Sequence, residues 1–284
     1  MTFNIVNEPW IESPFFYELL SKKKINRNLK KIAINMHEKG YAIVDLNLTD
    51  KFINNINKDI SNAINKGKIK KNPKIYHYNK YPRIVEAWKY SANVAKLANN
   101  SKLNKILKFL YKSKPLPFST INFIGGTEQP FHSDYIHFGS LPHKYLVGAW
   151  VALENTNKYN GALKVVPGSH KFPLIDYQDL KQKKPLNIIQ LEKNYRVYEN
   201  FIKKLIKVKK LKYKELYLKK GEVILWAANL LHGGSKVKNK NLTRKSQVIH
   251  FHFKDSEIYY NPGFSEPKKG LYVDRKLDIV NLKQ

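Results

Sequence analysis

The sequence contains no cysteine, which excludes disulfide scaffolds, thiolate metal centres and thiol nucleophiles from the outset. It also lacks any apolar run approaching the ~18 residues of a membrane-spanning helix. Glu8, Glu12 and Glu18 interrupt the apolar stretches near its start, where a signal peptide would lie. These absences predict a soluble, cytoplasmic protein with no membrane partner. Arginine is scarce too: only Arg27, Arg83, Arg196, Arg244 and Arg275 stand among 52 basic residues. Proteins that read nucleic acid spend arginine on forked contacts to phosphate and guanine. A formal charge of +30 carried almost wholly by lysine therefore predicts a solvated basic surface rather than a nucleic-acid interface. Such a field would still speed the approach of an acidic or phosphorylated small molecule.

What is present suffices for a sizeable core, since 42% of the 284 residues are hydrophobic. The N-terminal part reads as helical. Phe15 to Leu20 is a short apolar run, and Leu29, Ile32, Ile34 and Met36 recur near helical spacing up to Gly40, placed as a C-cap glycine. Tyr41 to Leu46 reads as a buried strand, Thr49-Asp50 starts a helix over Phe52 to Ile64, and the basic, proline-containing stretch from Lys66 to Tyr81 reads as a surface loop. Helical patterns follow over Arg83 to Leu97 and Lys102 to Tyr111, closed by Pro115 and Pro117. From Phe118 the period changes to two. Strands are expected over Phe118 to Ile124, Tyr145 to Leu153, Ala162 to Val166, Gly221 to Trp226 and Lys245 to Phe253, with Gly125-Gly126, Asn160-Gly161 and Pro167-Gly168 as turns.

Residues 172–219 read as an insertion carrying a basic amphipathic helix, Tyr198 to Leu211, with Phe201, Leu205 and Val208 toward the core. The expected organisation is a single domain over 1–284: a helical flank (1–115), a β core (116–254) and a C-terminal tail (255–284). Short strands preceded by helices imply a closed or double-sheet β architecture, mainly β, with helices packed on one side and room for a ligand inside.

The stretch Gln129-Pro-Phe-His-Ser-Asp134 organises the rest. In extended backbone, side chains at i and i+2 share a face, so His132 and Asp134 can converge on one ion. His232, in Leu-Leu-His-Gly-Gly-Ser after the strand ending at Trp226, is the candidate third ligand. Two histidines and one carboxylate on one side of a metal, with the other positions open, suit an iron(II) centre that handles dioxygen. Arg244 lies twelve positions beyond His232. An arginine kept where lysine is otherwise preferred fits a site that must grip a carboxylate with a planar fork. His137, in a loop five residues past His132, is a candidate for substrate contact. His170 reads as a structural residue at a turn, and His250 and His252, on one strand face with Arg244 and Ser246, read as packed barrel residues.

The block from Gly148-Ala-Trp-Val-Ala-Leu-Glu through Val-Val-Pro-Gly-Ser-His170, with His132-Ser-Asp134 upstream and His232 and Arg244 downstream, closely resembles the phytanoyl-CoA dioxygenase family over roughly residues 116–253. The resemblance implies a double-stranded β-helix (jelly-roll, cupin-like), iron(II) held by His132, Asp134 and His232, and 2-oxoglutarate and dioxygen as co-substrates. It further implies that Arg244 pairs with the distal carboxylate of 2-oxoglutarate, with Ser235 near it, and that Trp150 and either Thr120 or Asn122 line the co-substrate site. The activity implied is hydroxylation of a small molecule with release of succinate and carbon dioxide. Related halogenases lack the metal carboxylate, so the presence of Asp134 favours hydroxylation. The family's name carries no substrate over to this chain, and the oligomeric state is left open. The rival expectation is a barrel that binds a ligand or nucleic acid without turnover; it has no use for His132, Asp134, His232 and Arg244 together.

Overall fold

The computed structural model describes residues 8–68 and 83–282. Most of the expected surface loop between Lys66 and Tyr81 lies outside the described residues. After a short helix α1 (Phe16–Ser21), α2 (Arg27–Lys39) starts where the Asn26 side chain accepts from the Leu29 amide and ends at Gly40, whose φ of 75° is the left-handed conformation glycine tolerates. Strand β1 (Tyr41–Asp45) follows at once, but Ile43 is 43% exposed, so this is an edge strand with one wet face rather than the buried strand expected. Thr49 caps α3 (Asp50–Asn65).

The expected helix from Arg83 to Leu97 does not form. Instead β2 (Ile84–Val85) pairs with a later strand, Glu86 turns the chain at φ 55°, and Ser91 restarts a helix as the cap of α4 (Ala92–Ala98). The cap residue competed with helical propensity and reset the register. Helix α5 (Ser101–Tyr111) buries Leu103, Ile106, Leu107 and Leu110, as its periodicity requires.

The remaining elements are β3 (Pro115–Phe123), β4 (Gly139–Leu141), β5 (Leu146–Ala152), β6 (Leu163–Val165), α6 (Ile188–Val208), β7 (Lys214–Leu216), β8 (Glu222–Ala227), β9 (His232–Gly234), β10 (Ser246–Phe253) and β11 (Ile258–Tyr260). Six strands form one antiparallel sheet in the order β1-β8-β5-β10-β3-β2, three form a second in the order β7-β6-β9, and β11 pairs with β4. Pro115 and Pro117 belong to β3 rather than closing the helical part; a register irregularity at His250/Phe251 falls opposite that stretch, where a missing amide hydrogen can be accommodated.

Alternation along the strands sorts the side chains of the six-stranded sheet into two layers. Val147, Ala149, Val151, Val223, Leu225, Ala227, Ile249, Phe251 and Phe253 join the core formed with the N-terminal helices. Trp150, Ile224, Trp226 and Val248 point the other way and pack with Leu163, Val165 and Leu216 of the three-stranded sheet. The two sheets thus face each other, with the helices outside the larger one.

Helix α6 starts ten residues before the expected helix, and its buried residues are Tyr195, Tyr198, Glu199 and Ile202; Val208, expected in the core, is 67% exposed. The buried stripe is set by a register that begins at Ile188, so Val208 falls past its end. The segment read as an insertion also contributes β7 to the smaller sheet.

Candidate functional site

Between the sheets lies a cavity of about 680 Å³, within the ~300–1,000 Å³ range of small-molecule sites. His132, Asp134 and His232 meet in its wall. Backbone hydrogen bonds in both directions link His132 and His232, 3.0 Å from His132 N to His232 O and 2.9 Å in the reverse sense, which extends the smaller sheet by one bridge and sets the two imidazoles side by side. Ser133, at φ −108° and ψ 150°, is extended, so Asp134 returns to the side of His132 before a 3-10 turn begins. Asp134 Oδ1 lies 3.6 Å from His232 Nε2 and 3.9 Å from His132 Nε2, separations that two bonds of ~2.1 Å to a shared ion can bridge.

Each ligand atom is prepared by a second partner. His132 Nδ1 lies 3.0 Å from the Pro130 carbonyl and His232 Nδ1 3.0 Å from the Leu230 carbonyl. A carbonyl only accepts, so both Nδ1 atoms carry the proton and both Nε2 lone pairs face the centre. Burial holds both imidazoles below their ordinary range, that of His132 well below, a direction that favours the ligating form. Burial alone would raise the Asp134 carboxyl, but His232 and His250 beside it hold it well below the usual carboxylate range. Its Oδ2 accepts from Trp226 Nε1 at 2.6 Å and lies 3.3 Å from His250 Nε2, which leaves Oδ1 for a metal.

Trp226 can reach Asp134 because its cross-strand neighbour is Gly148: a Cβ there would lie 2.3 Å from the indole ring. Gln129 Nε2, 3.2 Å from His132 Nε2, completes the polar wall. Trp226, His250 and Gln129 escaped the sequence reading. His250 could have been found from its shared face with Arg244, and Trp226 from the glycine placed opposite an aromatic.

Arg244 lies in the same cavity, 2% exposed, with its guanidinium 5.1 Å from the Trp150 ring and 5.7 Å from the Phe123 ring. It donates to Ser246 Oγ at 3.2 Å and to the Gly125 carbonyl at 3.3 Å, while its Nε has no hydrogen-bond partner. No carboxylate among the described residues pairs with it, and burial lowers its pKa to about 10 although Glu154 opposes the shift. A buried cation with spare donors is costly unless an anion joins it. The residues therefore suit a metal bound by two imidazoles and a carboxylate, with an anionic group reaching from that side of the cavity to Arg244.

Trp150 and His137 line the cavity. Thr120 and Asn122 do not. Asn122 donates to Gln247, whose amide in turn donates to the Val94 carbonyl of α4, so this face of β3 looks toward the helices; Ser119, Ile121 and Phe123 face the cavity. The expected register was one residue out. Ser235 is buried but lies outside the cavity wall, one residue past Gly234, which does line it. His170 binds the His37 carbonyl at 3.0 Å and is structural.

The family profile described as phytanoyl-CoA dioxygenase matches residues 36–246. The peroxisomal phytanoyl-CoA dioxygenase of Bos taurus is 27% identical over 134 residues, which cover 47% of this chain and 36% of that protein's length. Among solved structures, the α-ketoglutarate-dependent carbocyclase SnoK from nogalamycin biosynthesis superposes with a TM-score of 0.65 at 14% identity, covering 90% of this chain and 95% of its own. EctD from S. alaskensis, crystallised with 2-oxoglutarate and 5-hydroxyectoine, gives a TM-score of 0.62 at 17% identity, covering 89% of this chain and 84% of its own. At these identities the solved structures share the fold, and the profile match, across most of the chain, assigns the lineage: the chain belongs to the phytanoyl-CoA dioxygenase family.

Proposed function

We propose that the chain is an iron(II)- and 2-oxoglutarate-dependent dioxygenase that hydroxylates an unactivated C–H bond of a small molecule, releasing succinate and carbon dioxide. One observation carries this reading: a His-Asp-His cluster able to hold a metal shares a single cavity with a buried guanidinium that has no carboxylate partner among the described residues. We read the facing sheets as a double-stranded β-helix and the chain as one domain. The relatives crystallised with iron or 2-oxoglutarate support the choice of co-substrate.

In this reading His132 and His232 present Nε2 and Asp134 presents Oδ1 to iron(II), and Trp226 and His250 hold the other carboxylate oxygen so that it cannot swing away. Bound iron with 2-oxoglutarate and dioxygen would supply the oxidising power, one oxygen atom passing to the substrate C–H and the other to succinate. Arg244 pairs with the distal carboxylate of the keto-diacid, and Trp150 and Phe123 wall that end against water. The cavity wall on the His137 side is left to the substrate.

The test is succinate formation from 2-oxoglutarate after anaerobic loading with iron(II). Slow turnover without substrate is expected, and its loss in His132→Ala. Failure of the wild-type protein to retain iron, with no succinate formed, would sink the reading and favour a non-catalytic binder on the same fold.

A further inference from the structure

We propose that the cavity holds a second anion site, distinct from that of Arg244, and that the substrate is a small molecule whose carboxylate or phosphate is gripped there by Arg275. Three of the chain's five arginines, Arg83, Arg244 and Arg275, line this one cavity. A chain that prefers lysine nearly everywhere has kept the planar fork where a bound group would meet it. The proposal rests on the dioxygenase reading for the name of the reaction, but the site itself does not depend on that reading.

Arg275 sits on the C-terminal tail, where its amide donates to the Tyr259 carbonyl at 2.7 Å, and its side chain enters the cavity across Phe138, 4.8 Å from the ring. Phe138 in turn packs 4.9 Å from His250, the residue beside Asp134 Oδ2. The guanidinium therefore stands one aromatic ring beyond His250, which in turn touches Asp134. The Arg244 guanidinium faces the Trp150 and Phe123 rings, whereas that of Arg275 faces Phe138, which packs against His250. The two forks therefore meet the cavity at different walls.

Among the described residues the Arg275 fork makes one hydrogen bond, 3.3 Å from Nη2 to the His137 carbonyl, and its buried Nε makes none. No carboxylate among the described residues pairs with it. The acids at this mouth are otherwise engaged: Asp278 binds Lys89 at 2.6 Å, and Glu86 accepts from the Trp88 indole and the Thr120 amide. Arg83 also lines the cavity, but it stands 5.6 Å from the Phe123 ring that Arg244 faces, so the fork left for this site is that of Arg275. A lone tether to a backbone carbonyl would need only one donor, and a lysine could supply it. A forked cation with spare donors facing a cavity fits an oxyanion.

The test titrates hexanol, hexanoate and hexyl phosphate into protein loaded with iron(II) and 2-oxoglutarate without dioxygen, read by calorimetry. At least one anion is expected to bind about tenfold or more tightly than hexanol, and which one separates a carboxylate from a phosphate substrate. In Arg275→Gln that preference is expected to vanish with hexanol affinity unchanged, and in Arg275→Lys, which keeps the charge but not the fork, to fall part of the way. Equal binding of hexanol and both anions by the wild-type protein, or an anion preference that survives both variants, would overturn the proposal. Absence of 2-oxoglutarate binding would overturn the dioxygenase reading instead, while the effect of Arg275→Gln on hexyl phosphate would still decide the present one.

Discussion

The two faces of the six-stranded sheet are made by the same strands and are asked for opposite things. Toward the helices, β10 presents Ile249, Phe251 and Phe253, every one fully buried among apolar neighbours. On the opposite face the same strand carries Ser246, Val248, His250 and His252, of which Val248 and His250 line the cavity, as does Arg244 just before the strand. One face stabilises by excluding water; the other holds charge and imidazoles that are worth their desolvation cost only if a metal and anions complete them. Stability and activity should therefore separate by strand parity.

The strongest test of that separation is Asp134→Asn. The amide is close in shape to the carboxylate but is a poor ligand, so iron retention and succinate formation should fall to background while the unfolding midpoint moves by no more than ~1–3 kcal/mol in equivalent stability, the cost of disturbing the Trp226 hydrogen bond. The converse is Phe251→Ala on the opposite face, expected to cost ~3–5 kcal/mol by leaving a cavity in the helix-side core, with iron affinity of the folded fraction unchanged. Urea denaturation paired with iron titration reads both; a large stability loss in the first or a large affinity loss in the second would break the comparison.

The pH dependence of stability should carry opposite signs on the two sides. Burial pushes the cavity-side His252 down to about 3. The unfolded imidazole titrates near ~6.5 and so binds more protons between those values. The contribution of His252 is complete above ~6.5 and is lost as the pH falls toward 3. Glu12, under the helices, is raised to about 7 by burial even though Lys144 lies beside it. Its folded carboxyl keeps a proton that the unfolded one has released, so its contribution is complete below ~4.5 and is lost as the pH rises through about 7. Urea unfolding across pH 4–8 should show a flatter acid limb in His252→Gln and a flatter limb between pH 4.5 and 7 in Glu12→Gln, each shifted pKa unit corresponding to ~1.4 kcal/mol. A smaller effect is expected from Trp226→Phe. It keeps an aromatic ring over Gly148 but removes the donor to Asp134, and should weaken iron binding by ~10–100-fold while costing no more than the same ~1–3 kcal/mol of stability.

How far the sequence could be read follows from the same parity. His132, Asp134 and His232 were legible because ligand chemistry restricts residue type and the extended Ser133 keeps the pair on one side. Arg244 was legible because lysine is the rule elsewhere. Helices α2, α3 and α5 announced themselves by caps and apolar spacing. What failed was phase. An alternating strand looks the same from either side until a partner fixes which residues face in, so β3 was read one residue out; a register irregularity opposite it, at His250/Phe251, cannot be foreseen from local pattern. Trp226 and His250 were missed because their role depends on a carboxylate almost a hundred residues away in one case and over a hundred in the other.

The misphased strand supplies the mildest and most specific prediction. Thr120 is fully buried on the helix-facing side of β3, and its hydroxyl has no hydrogen-bond partner among the described residues. Its backbone is well tied, with the amide donating to Glu86 Oε1 and the carbonyl accepting from the Glu86 amide at 2.8 Å, so a change confined to the side chain should leave the strand in place. Valine has nearly the same shape and β-branching, and it removes a buried polar group that is paying for desolvation without a bond. Thr120→Val should therefore be neutral or stabilising by up to ~1 kcal/mol, with 2-oxoglutarate affinity unchanged by calorimetry. If Thr120 lined the co-substrate site, the same substitution would weaken that affinity, and the assignment of β3's two faces would be reversed.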